Sequence, residues 1–157
     1  ELEITDSVMQ TREQSAGALR RLRALGIHIA SDDFGTRYSS LSPLKHLPID
    51  TLKLDRLFVR NVPDDTDSRA IAAAMISMAH TLGLHVVAEG VETEGQFAFL
   101  RERGCDEAQG HLLGAAAPAE VITRMLEKYK LRADTGGDRI AADGRLVANA
   151  VDAVEST

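Results

Sequence analysis

Ala24-Leu25-Gly26-Ile27-His28-Ile29 returns nearly unchanged as Thr81-Leu82-Gly83-Leu84-His85-Val86. Each stretch reads as a helix end, a glycine at the C-terminal cap and a new strand. Before the first glycine, Leu19, Leu22 and Leu25 give helical spacing from about Thr11 to Leu25. Before the second, Ile71, Met75, Met78 and Leu82 predict the buried stripe of another helix, capped by Asp67 or Ser68. A chain that repeats helix, glycine and strand builds parallel βα units.

The same rhythm extends in both directions. Glu1–Thr5 alternates, with Leu2 and Ile4 opposite Glu1, Glu3 and Thr5, which is strand periodicity. Ile27–Ala30 predicts a strand ending at Ser31-Asp32-Asp33. A short helical stretch near Ser40–His46 stops before Pro48. Ile49–Leu54 predicts a strand ending at Asp55, and Leu84–Ala88 one ending at Glu89. Thr93 caps a helix with Phe97 and Leu100 on its apolar face, and Gly104 ends it. Glu107–Leu113 is a weaker fifth strand. Pro118 opens a last helix through Val121, Ile122, Met125 and Tyr129. Residues 132–157 differ in texture, with Gly136-Gly137 and an Asp143-Gly144 turn signal. A linker, a hairpin around Asp143-Gly144 and a short helix at Leu146–Val154 all fit that tail.

Composition narrows the function. A chain of 157 residues is one domain or part of one. Its 44% apolar content allows a core, which must rest on aliphatic residues because Trp is absent. Acids exceed bases by 24 − 18 = 6, which disfavours a nucleic-acid polymer as partner but not a small phosphate ligand. Cys105 is alone, so no disulfide framework forms and a reducing cytoplasm is expected. No apolar run reaches the roughly 18 residues of a membrane span. The chain starts at Glu1, inside an expected strand, and is expected to be a piece of a longer protein.

Polar residues collect where the strands end. Glu3, Asp32, Asp33, Asp55 and Glu89 all fall in or just past expected strand C-termini. In parallel α/β folds those ends gather on one rim, where sites form. Parity sharpens the expectation. Glu3, Lys53, Asp55 and Glu89 lie opposite the apolar residues of their strands, so the charged set faces the axis and the apolar set faces the helices. Any one of these carboxylates alone would fit a helix N-cap as well as a site. Lys53 alone would be read as an edge guard. Together they repel one another and demand a cation. Ligands that are all oxygen suit Mg²⁺ or Mn²⁺ rather than zinc, and adjacent Asp32 and Asp33 can each reach a different ion. Two such ions activate a water and steady phosphate oxygens, with Lys53 holding the water or an oxygen.

The stretches that carry these residues are Glu3-Ile4-Thr5-Asp6-Ser7, Asp32-Asp33-Phe34-Gly35-Thr36-Arg37-Tyr38-Ser39-Ser40-Leu41, Ile49-Asp50-Thr51-Leu52-Lys53-Leu54-Asp55, Val87-Ala88-Glu89-Gly90-Val91-Glu92-Thr93 and Gly104-Cys105-Asp106-Glu107-Ala108-Gln109-Gly110. In this order and spacing they resemble the second half of the EAL domain, a bacterial cyclic di-GMP phosphodiesterase. The resemblance spans about Glu1 to Leu131, which leaves 132–157 as a tail or linker. It implies a TIM-barrel-like (β/α) fold, here a partial barrel of about five parallel strands with outer helices. It implies hydrolysis of cyclic di-GMP to linear pGpG in second-messenger signalling, with two Mg²⁺ or Mn²⁺ ions. Glu3, Asp32 and Asp33 are then expected as metal ligands, and Lys53 and Glu89 as the pair that positions and deprotonates water. Asp6, Arg37, Asp55, Glu92 and Gln109 are expected to support the loop and the rim.

The chain also departs from that family. The Glu-Ala-Leu segment and an asparagine ligand of the first half would precede Glu1. Arg37 replaces a loop glycine, and Asp6 stands for a glutamate. His111-Leu112-Leu113-Gly114 replaces an aromatic residue and a Ser-Arg-Pro run. Little turnover is therefore expected from this segment alone. The open strand edges are expected to pair with the missing half or with a second copy. The alternative reading is a degenerate module that binds the nucleotide or a protein without catalysis.

Overall fold

The structure is a computed structural model that describes residues 1–5, 12–35, 47–125 and 145–146. Asp6, Arg37, the helix expected near Ser40–His46 and most of the tail lie outside the described residues.

One parallel sheet runs in chain order through β1 (Leu2–Ile4), β2 (Ile29–Phe34), β3 (Thr51–Leu54), β4 (His85–Ala88), β5 (Glu107–Ala108) and β6 (Arg145–Leu146). Between the strands lie α1 (Arg12–Ala24), α2 (Arg56–Val59), α3 (Thr66–Thr81) and α4 (Glu94–Glu102). Residues 119–125 are also helical. Each crossover returns the chain to the same sheet direction, as a parallel sheet requires.

The two faces of the sheet separate as parity requires. Ile4, Ile29, Leu52, Leu54, Val86, Ala88 and Ala108 join one apolar core with Ile76, Ala79, Phe99 and Leu100 from the helices. Fully burying each large aliphatic side chain contributes roughly 1.5–3 kcal/mol. Glu3, Lys53 and Val87 alternate with that set and line the other face. The register sets Lys53 beside Val87 and, through Ala30, sets Glu3 level with Thr51, one same-face position before Lys53.

Several expected details shift. The buried stripe of α3 is Ala72, Ile76 and Ala79. Ile71 and Leu82 are 47% and 37% exposed, and Met75 and Met78 are half-buried. Small alanines let α3 lie close against the strands it packs on, β3 and β4, which turns the larger residues to its flanks. The cap of α3 is Asp65, whose carboxylate accepts from Ser68 N at 2.7 Å, so the helix starts at Thr66. The Ser68 side chain and then its N–H hold the Asp65 carboxyl below its usual range. Leu25 stands 78% exposed while Leu19 is buried. β5 ends at Ala108 rather than Leu113, because the chain turns at Gly110, where Leu113 N and Gly114 N both reach its carbonyl. The short helix α2 was not expected. In the tail, Arg145-Leu146 adds a sixth strand parallel to β5, and the rest of the tail lies outside the described residues.

Candidate active site

The rim at the C-terminal strand ends begins with a break in register. Ser31 pairs with Leu52, but Phe34 pairs with Leu54. Three steps along β2 match two along β3, so Asp32 and Asp33 together stand opposite Lys53. A bulge of this kind re-aims side chains beside a site. The side chain of Asp33 lies outside the described residues.

Lys53 is the meeting point. Its side chain is 7% exposed, and its Nζ donates to Glu3 Oε1 at 2.6 Å and lies 2.7 Å from Glu89 Oε1. Asp32 Oδ1 stands 3.7 Å away. Four residues from four neighbouring strand ends therefore share one charged centre. Glu3 sits at the wet margin with 41% exposure, whereas Glu89 is 20% exposed.

These contacts set the protonation states. Burial opposes the charge on Lys53, but hydrogen bonds to Glu3 and Glu89 and their negative charges outweigh it. The ammonium is held well above the ordinary lysine range. Burial pushes the Glu89 carboxyl up; Lys53 pulls it down, and the charges of Asp32 and Glu3 add to the rise. Lys53 is thus a fixed donor, and Glu89 is a carboxylate with enhanced proton affinity. That is the tuning expected of a donor and a base placed side by side.

The other candidates occupy the surrounding loops. Asp55 caps α2 by accepting from Leu57 N at 2.8 Å. Glu92 is exposed, and its N–H donates to Gln96 Oε1 at 2.7 Å. Gln109 extends the β4–β5 ladder, since its N–H donates to Ala88 O at 2.8 Å and its carbonyl accepts from Val91 N at 3.0 Å. Gly110 then lies flat against the Val91 backbone. A Cβ there would overlap the Val91 nitrogen and oxygen and come within 2.7 Å of its carbonyl carbon. Gly110→Ala is expected to destabilise the domain by about 1–3 kcal/mol or more, because backbone on both sides must move. A urea midpoint equal to that of the wild type would contradict this packing.

The donor chemistry fits Mg²⁺ or Mn²⁺, since the converging acids offer only carboxylate oxygens. Among the described residues, no three His, Cys, Asp or Glu side chains stand in the arrangement of a metal shell. The acids meet on the Lys53 ammonium, which is the positive charge their convergence demands.

A different cluster occupies the opposite strand ends. A cavity of about 480 Å³ there is lined by His28, Asp50, His85, Asp106 and Glu107, among others. Asp106 accepts from Val86 N at 2.8 Å and lies 2.9 Å from His80 Nε2. Burial raises its carboxyl, but those bonds outweigh it and hold it below its usual range. His85 Nε2 lies 3.0 Å from Glu107 Oε1. Asp50 accepts from Ile29 N at 3.0 Å and pairs with Arg23 at 2.7 Å. These bonds tie the bottom of the sheet together. Cys105 is a half-buried thiol packed against the core, and burial pushes it up to about 12.

The residue that sequence reasoning overlooked at this rim is Gln96, 4% exposed and bonded on both of its polar atoms. Its signal was present in Thr93-Glu94-Gly95-Gln96, a capping-box pattern that the structure completes.

Comparison with known proteins gives the chain's family. Residues 1–116 match the EAL domain family. The cyclic di-GMP phosphodiesterase NbdA of Pseudomonas aeruginosa is 46% identical over 134 residues, which is 85% of this chain and 17% of that protein. The crystal structure of the EAL domain of Mycobacterium smegmatis DcpA is 44% identical with a TM-score of 0.76, over 81% of this chain and 57% of that one. Klebsiella pneumoniae BlrP1, solved with manganese and cyclic di-GMP, is 37% identical with a TM-score of 0.65, over 70% of this chain and 28% of that one. The chain thus spans little more than half of the DcpA EAL domain structure and under a fifth of NbdA. Among the described residues, no helix is long and apolar enough to cross a membrane.

Proposed function

The chain belongs to the EAL domain family, and from that premise we propose that it carries the catalytic rim of a metal-dependent cyclic di-GMP phosphodiesterase. One observation carries the reading: Glu3, Asp32 and Glu89, from three strand ends, gather around Lys53. In a complete barrel further strands would join beside β1, which is an edge of the sheet among the described residues.

Glu3, Asp32 and Asp33 are the residues that would hold Mg²⁺ or Mn²⁺. Such ions lower the pKa of a bound water and neutralise phosphate charge. Lys53 stays protonated, so it cannot act as a base; it donates, and holds the attacking water or a phosphate oxygen. Glu89 accepts the proton of that water. The water oxygen bonds to phosphorus, the bond to a sugar oxygen breaks, that oxygen takes up a proton from solvent to leave as a hydroxyl, and the cyclic dinucleotide opens to pGpG. Asp55 shapes the rim by fixing the start of α2. Asp6, Arg37, Glu92 and Gln109 are assigned to the loop and rim that enclose the nucleotide. The setting is the reducing cytoplasm that a single thiol suits.

The test is hydrolysis of cyclic di-GMP by the complete domain, followed by chromatography with Mn²⁺ and with a chelator. The expected result is conversion to pGpG that the chelator abolishes. Binding without conversion would favour a non-catalytic module, and neither binding nor conversion would overturn the reading.

A further inference from the structure

We propose that Gln96 is a positioning residue for this reaction, holding the loop after Glu89 in register with the helix after Lys53. The inference rests on the proposed function.

Gln96 is the third residue of α4, and its Oε1 accepts from Thr93 N at 3.0 Å as a capping box requires. It does more than cap. The same oxygen accepts from Glu92 N at 2.7 Å, and its Nε2 donates to Arg60 O at 3.1 Å. Glu92 lies three residues past Glu89. Arg60 closes α2, which Asp55 opens two residues past Lys53. The amide therefore links the two loops that leave the paired residues. Across the same gap, Gly90 lies on the stem of Arg56, where an added Cβ would come within 2.5 Å of Arg56 Cβ. Glu89 N donates to Leu54 O at 2.9 Å. The Lys53–Glu89 pair is thus closed into a ring: strand pairing on one side, Gly90 on Arg56 and Gln96 on Arg60 on the other.

The residue type supports the assignment. Glutamate completes a capping box as well as glutamine does. An amide accepts from two backbone N–H groups on its oxygen and also donates to a carbonyl from its nitrogen, which an ionised glutamate cannot do. With Gln96 buried, its donor has a specific partner, and that partner is the catalytic strand's own helix.

Three variants of the complete domain test this. Gln96→Glu keeps the bonds to Glu92 and Thr93 but sets a carboxylate against the Arg60 carbonyl. Gln96→Met removes the bridge without adding charge. Thr93→Ala weakens the cap and leaves the bridge intact. A misplaced catalytic group lowers turnover steeply, by about tenfold for a fraction of an ångström. Both Gln96 variants are expected to lose about tenfold or more in kcat with KM little changed. Thr93→Ala is expected to lower the melting temperature while keeping kcat. Carboxyl NMR supplies a readout apart from turnover: the Glu89 titration midpoint is expected to move in both Gln96 variants and to hold in Thr93→Ala. If the wild type hydrolyses nothing, the functional reading fails and the Glu89 midpoint alone decides the bridge. An unmoved midpoint in Gln96→Met, or kcat losses that merely follow stability in all three, would overturn the inference.

Discussion

Glu89→Gln in the complete domain is expected to lower kcat for cyclic di-GMP by about 100- to 10,000-fold, the usual contribution of a positioned base. Gln keeps the shape and one acceptor oxygen but cannot take a proton from water. Stability should respond differently. The Glu89 carboxyl is raised in the fold, so its neutral form is the one the fold prefers. A raised carboxyl contributes stability that is present below the ordinary value of 4.5 and is lost as the pH rises through the folded value. Glu89→Gln is therefore expected to match the wild type in acid and to be equally or more stable at pH 8. Urea melts at the two pH values, beside a single-turnover assay, separate the effects. A variant that turns over normally, or one that is inactive because it has unfolded, would remove Glu89 from its assigned role.

Lys53→Met is expected to lose both turnover and stability. Methionine keeps most of the aliphatic stem, so the loss isolates the charge. Glu3, Glu89 and Asp32 would then face one another with no cation between them. Removing one partner of a buried ion pair costs about 3–5 kcal/mol. Here about 2–3 kcal/mol is expected, because Glu3 is 41% exposed and screened by water. The pH dependence has a definite sign. Lysine held above its ordinary value of 10.5 contributes stability that is complete below that value and declines as the pH rises toward the folded one. The gap between wild type and Lys53→Met should stay constant from pH 8 to 10 and narrow above it. A gap that widened in alkali would contradict the arrangement.

The rim was legible because parity in a strand is strict. Leu2 and Ile4 fixed the face of Glu3, and Leu52 and Leu54 fixed the face of Lys53. Once the core claimed the apolar residues, the charged ones had a single remaining direction. The parallel βα alternation followed from the repeated glycine junctions. Helix faces were less legible. The stripe of α3 turned on Ala72 and Ala79, whose small size allows close approach but carries little hydrophobic signal. The cap at Asp65 was hidden among Asp64, Asp65, Asp67 and Ser68, any of which has the right chemistry. The register break that sets Asp32 and Asp33 together against Lys53 has no marker in local sequence, because a bulge is decided by the partner strand. Gln96 was passed over because a capping pattern explains a glutamine before any bridge is known. Arg145-Leu146 pairs across a long stretch that local periodicity does not reach.

Lys53 and the acids around it are held to be one electrostatic unit, and a double-mutant cycle reads that directly. Unfolding free energies of the wild type, Lys53→Met, Glu89→Gln and the double variant would be measured in urea at pH 8. Glu89→Gln should restore part of what Lys53→Met loses, because it removes a carboxylate that has lost its counter-charge. A coupling of about 1–3 kcal/mol is the expected result for groups in direct contact. Effects that simply add, within about 0.5 kcal/mol, would mean that the two side chains do not share a charged centre.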